Sequence, residues 1–71
     1  MSYRVMKVDP SNGLSIEVFR ANDERGAKYL AVGLLRADPP VEMFWVEDPS
    51  GVRIADKKDI YDFAVVNGYP T

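Results

Sequence analysis

The alternation of apolar and polar residues predicts two β-hairpins separated by a helix. Residues 3–8, YRVMKV, read as a short strand, and "DPSNG" at 9–13 breaks it. In 14–20, LSIEVFR, Leu14, Ile16 and Val18 take one face while Ser15, Glu17 and Phe19 take the other. A period of two marks a half-buried strand. The period then lengthens: Ala27, Leu30, Ala31, Leu34 and Leu35 form the stripe of a helix over 22–37. Asn22 is the expected cap, Asp23 and Glu24 suit the positive N-terminal end, and Arg36 suits the other. "ADPP" at 37–40 stops the helix, because residues before proline avoid helical geometry.

"VEMFWVE" at 41–47 is β-branched and aromatic, and predicts a strand. "DPSG" turns it into "VRI" at 52–54. In the segment from Asp56 to Asn67, Ile60, Phe63 and Ala64 share a helical face. Asp56 would cap that helix, with Asp59 at its third position, and Asn67-Gly68 would close it before Pro70. The alternative is a short fifth strand in "FAVV". The expected fold is therefore a single two-layer α+β domain over residues 1–71, ordered ββαββα. Its mostly antiparallel four-stranded sheet would carry the helices on one face.

The order ββαββ, with Pro39-Pro40 after the first helix, is similar to the β-grasp fold of ubiquitin-like proteins. The likeness lies in element order and length, and implies a fifth strand. The chain ends "NGYPT" rather than in diglycine, so conjugation is not implied.

"KVDPSNGL" and "VEDPSGV" look like one ligand loop used twice, but turn chemistry explains them position by position. Asp bonds back to the backbone, Pro pre-sets φ, and Gly accepts a positive φ. A calcium loop needs oxygen ligands at alternate positions and a terminal Glu, where Arg20 stands instead. A phosphate loop needs more glycines and a Lys-Ser/Thr pair.

Composition narrows the chemistry. The chain has no Cys and no His. Disulfides, the familiar structural zinc sites, acyl-transfer triads and cysteine nucleophiles are thereby excluded. Asp56, Asp59 and Asp62 recur every three residues, yet Lys57 and Lys58 sit among them, as on a solvated helix face. A chain this small leaves little room for a small-molecule pocket of ~300 Å³. The expectation is a protein without catalytic activity, cofactor, metal or small-molecule ligand. The N-terminus lacks a signal-peptide core and no apolar run is long enough to span a bilayer, so the expected location is cytoplasmic, with no membrane partner.

Net charge is −2, divided as +2 over residues 1–36 and −4 over 37–71. That balance argues against nucleic acid, which basic surfaces bind. The residues that need explaining are the apolar ones on both faces of "VEMFWV". If Phe44 and Val46 face the helices, Met43 and Trp45 lie on the open face of the sheet. On the first strand either Tyr3, Val5 and Lys7 or Arg4, Met6 and Val8 must join them, and Tyr3 with Lys7 suits a wet face better. The expected partner-binding set is Tyr3, Val5, Lys7, Phe19, Met43 and Trp45, rimmed by Glu17 and Glu47. Two other arrangements remain: Trp45 in the core with Phe44 exposed, or the C-terminal segment folded over this face. Aromatics and Met within a charged rim resemble protein interfaces. The expected function is a protein-protein interaction module whose partner is another protein or a second copy in a homodimer. A small regulator or inhibitor of a larger complex, such as phages and mobile elements encode, is the alternative. Single-stranded nucleic-acid binding is the weaker reading, because no RNP-like run is present.

Overall fold

A computed structural model describes residues 2–70. The elements run β1 (Tyr3–Val8), β2 (Ser15–Ala21), α1 (Glu24–Leu35), β3 (Phe44–Glu47), β4 (Arg53–Asp56) and α2 (Lys57–Val66). The four strands form one antiparallel sheet in the order β2-β1-β3-β4. The first hairpin supplies β2 and β1, and α1 carries the chain across to pair β3 with β1. The ββαββα order and the α+β class stand as expected. "FAVV" belongs to α2, so the described residues hold no fifth strand of β-grasp kind.

Both turns are built as their residues dictate. Gly51 N–H donates to the Asp48 carbonyl at 2.9 Å, and Gly51 holds φ +87. Asp48 Oδ1 accepts from the Ser50 amide, the Ser50 hydroxyl and the Val52 amide, each at 2.9 Å. In the longer copy, Asp9 Oδ1 takes the amide and hydroxyl of Ser11, and Gly13 N–H reaches the Asp9 carbonyl at 2.8 Å. These donors pull the carboxyls of Asp9 and Asp48 below their ordinary range.

The helices also start on side-chain chemistry. α1 is capped by Asp23 rather than Asn22: Asp23 Oδ1 accepts from the Gly26 amide. α2 has the expected box, with Asp56 accepting from the Asp59 amide and Asp59 from the Asp56 amide, both at 3.0 Å. β3 is shorter than the segment 41–47, although the Met43 carbonyl still accepts from the Val8 amide. β4 begins at Arg53, one residue later than expected.

One core lies between the sheet and the helices. Val5, Phe44, Val46 and Ala55 come from the sheet, Ala27, Ala31, Val32 and Leu34 from α1, and Ile60 and Ala64 from α2. Val5, Val46 and Ile60 are the largest side chains buried completely. Each such burial contributes about 1.5–3 kcal/mol. The small residues Ala27, Ala31 and Ala64 let the helices approach the sheet closely. Both helices pack on this core side, and among the described residues no helix covers the opposite face of the sheet.

Candidate interaction surface

The strand register decides which side chains share the open face. Arg20, Arg4, Glu47 and Arg53 align in one row across all four strands. Glu17, Met6, Trp45 and Asp56 form the next row. The row behind them, Phe19, Val5, Val46 and Ala55, belongs to the helix side.

This register corrects much of the expected contact set. Val5 is fully buried in the core, and Tyr3 packs against that core from the same side. Lys7 aligns with Phe44, so it too shares the helix side. Strand one presents Arg4, Met6 and Val8 to the open face instead. The physical reason is packing: a β-branched valine fills the closed core, whereas Arg and Met keep flexible side chains in a partly wet layer. Phe19 moves for another reason. The β1–β2 register shifts between Val5 and Met6, so an extra residue of β2 is inserted there. Such a bulge resets the alternation, placing Phe19 opposite Val5 and Arg20 opposite Arg4. Of the six residues, only Met43 and Trp45 are brought together on the open side, both lining one groove.

Trp45 is on the open face, yet only 4% exposed. The Arg53 guanidinium lies 3.7 Å from the centre of its ring. Its Nε1 donates to Glu47 Oε2 at 2.8 Å. Arg4 Nη2 donates to the other oxygen, Oε1, at 2.9 Å. Glu47 thus clamps an indole and a guanidinium, and Arg53 roofs the indole. Arg53 itself is exposed, and a cation–π contact at an exposed site contributes about 0.5–1 kcal/mol. Farther along, Arg20 grips Glu17 through two hydrogen bonds of 2.9 and 3.2 Å. That bond holds the Glu17 carboxyl below its usual range and raises the Arg20 guanidinium above its own. The face is therefore a flat lattice of Arg, Glu, Met and Trp, not an exposed aromatic patch. The parity of strand one hides Arg4; Arg20 reaches this face through the β2 bulge, and Arg53 through the pairing register of β4 with β3, neither of which the expected set took into account.

Two open grooves cut the surface. One, of about 300 Å³, is lined by Glu42, Met43, Phe44, Trp45, Arg53, Asp56, Lys57 and Lys58. Met43 is its exposed apolar wall, at 57%. The other, of about 370 Å³, lies beside α2 and includes Lys28, Ile54, Asp59, Asp62 and Phe63. So two of the three recurring aspartates do share a cleft. Asp59 is engaged in the helix cap, and Asp62 lies 3.8 Å from Lys58. Among the described residues no group of three His, Cys, Asp or Glu could hold a metal ion. Neither groove is enclosed.

The chain is a small two-layer α+β domain with an uncovered, arginine-lined sheet face. No protein-family model, curated protein or solved structure matches it. Among the described residues, no helix is long and apolar enough to cross a membrane.

Proposed function

We propose that this protein is a non-catalytic interaction module that binds another protein through its open sheet face. The observation that carries the reading is the cluster of Trp45, Arg4, Glu47 and Arg53 beside the exposed Met43. Arg and Met are residues that protein interfaces concentrate, and Trp45, only 4% exposed, lies beneath them as the platform that holds Arg53. The clamp holds the side chains before any partner arrives, which lowers the entropy cost of binding. Catalysis finds less support: the chain offers no His or Cys, and its clustered aspartates serve a cap and an ion pair. A chain without Cys suits the reducing cytoplasm, where we place it.

Site-specific photo-cross-linking tests the reading. A cross-linking amino acid at position 43 is expected to label one protein reproducibly in native lysate. The same group at position 66, where Val66 of α2 is 83% exposed, is expected not to label it. Equal labelling from both positions, or none from position 43, refutes the proposal.

A further inference from the structure

We infer that the open face receives a short segment of a partner protein in which acidic and apolar residues alternate. A partner carboxylate sits on Arg53 and a partner apolar side chain sits on Met43. This rests on the proposed interaction role and supplies the chemistry of the partner. Three observations carry it.

The first is charge. Glu47 has both oxygens committed, to Arg4 and to Trp45, and Glu17 is held by Arg20. Among the described residues, Arg53 has no carboxylate within ion-pairing distance. Its guanidinium sits 3.7 Å from the centre of the Trp45 ring, which leaves N–H groups for an incoming carboxylate.

The second is shape. The groove of about 300 Å³ runs from Arg53 past Trp45 to Met43. Asp56 lies opposite Trp45 in the middle of the groove, and its carboxylate already accepts from the Asp59 amide. Lys58, beyond it and 3.8 Å from Asp62, is a second cation of the groove, with its side chain 85% exposed. Glu42 is on the rim near Met43, so it steers a partner's acid toward Arg53.

The third is area. Strands of six, seven, four and four residues, rising about 3.3 Å per residue and about 4.8 Å apart, present roughly 330 Å². A stable pairing of globular surfaces buries about 800 Å² on each side. The open face alone is too small for a second copy or a folded partner, and suits an extended segment. It suits single-stranded nucleic acid less. Bases stack on exposed rings, and Trp45 is covered, while Glu17 and Glu47 oppose phosphate.

Trp45 is the only tryptophan, so its emission reports the site directly. The probes are a blocked peptide of alternating Glu and Leu, its Lys/Leu counterpart, and oligothymidylate. The Glu/Leu peptide is expected to change Trp45 emission saturably and to bind more weakly as salt rises. Arg53→Gln, with its fold checked by far-UV circular dichroism, is expected to weaken binding about tenfold. If Arg53→Gln does not fold, Lys58→Gln on the exposed rim serves instead, with an expected loss of about threefold. No saturation by about 1 mM, equal binding of the Lys/Leu peptide, preference for oligothymidylate, or an unchanged affinity in the folded variant overturns the inference. Should the peptide fail while position 43 still cross-links one protein, the interaction face stands and the acidic partner falls. Failure of both removes both.

Discussion

Removing the Glu47 carboxylate should cost this domain a large share of its stability, chiefly through Trp45. Glu47 receives the Trp45 Nε1–H at 2.8 Å and Arg4 Nη2 at 2.9 Å, and its side chain is 16% exposed. A hydrogen bond to a charged acceptor is worth about 1.5–3 kcal/mol, and partial exposure favours the lower end. The Arg4 side chain is 35% exposed, so solvent screening reduces that pair to about 0.5 kcal/mol. Glu47→Ala should therefore destabilise the fold by about 2 kcal/mol. A domain of this length has about 4–10 kcal/mol in total. The expected fall in Tm is about 8–16 °C, and the urea midpoint should drop by about 2 M. A double-mutant cycle isolates the bond. Once Trp45→Phe has removed the indole N–H, Glu47→Ala should cost only about 0.5 kcal/mol more, a coupling of about 1.5 kcal/mol. Circular dichroism must follow the unfolding, because Trp45→Phe removes the only fluorescent indole. A coupling below about 0.3 kcal/mol would mean that Glu47 does not clamp the ring.

Two glycines in α1 should respond oppositely. At Gly33 a methyl group would meet nothing within 4 Å, so Gly33→Ala should stabilise by about 1 kcal/mol, read as a Tm rise. At Gly26 the same methyl would lie 2.9 Å from the Asp23 Oδ1 that caps the helix, so Gly26→Ala should lose that gain or lower Tm. Gly51→Ala should destabilise by about 1–2 kcal/mol, because φ +87 is strained for any residue with a Cβ; thermal melts check both sets. Acid should unfold the protein through its turn and cap carboxylates. Asp9, Asp48 and Asp56 are lowered from 3.8, and Glu17 from 4.5. Groups depressed in the folded state add stability above their unfolded values and lose it as pH falls through the folded ones. Tm should therefore hold down to about pH 5 and decline below it, and Asp48→Asn should make that decline shallower. An unchanged slope would remove Asp48 from the acid transition.

The local chemistry of the chain was legible because it depends on neighbours in sequence. Asp-Pro-Ser followed by Gly specifies a turn through bonds that span two to four residues, and those bonds form. The Asp56–Asp59 box forms for the same reason. Gly26 explains why the first cap moved: a residue without a side chain three positions after Asp23 leaves room for its carboxylate, a signal in the sequence that favoured Asp23 over Asn22.

The face of each strand was harder, because parity is set by partners distant in the chain. YRVMKV alternates equally well either way. Only pairing with β3 distinguishes them, since Val5 must meet Val46 if Trp45 is to meet Met6. The bulge in β2 leaves one trace in the sequence: LSIEVFR alternates as far as Val18 and breaks at Phe19, although the extra residue is identified only by pairing with β1. One consistency argument does reach the right answer from sequence. Trp45 and Glu47 stand two apart on one strand and share a face, so the indole N–H has a carboxylate within reach. A carboxylate on a half-buried face requires a cation from the neighbouring strand. Arg4 answers that need on one parity and Lys7 on the other, but Lys7 brings Val5 with it. Putting Val5 outside would then exchange the best core residue of β1 for Arg4. The interaction face is thus specified by the demand that the buried side be apolar: the arginines lie on the open side because the core excludes them.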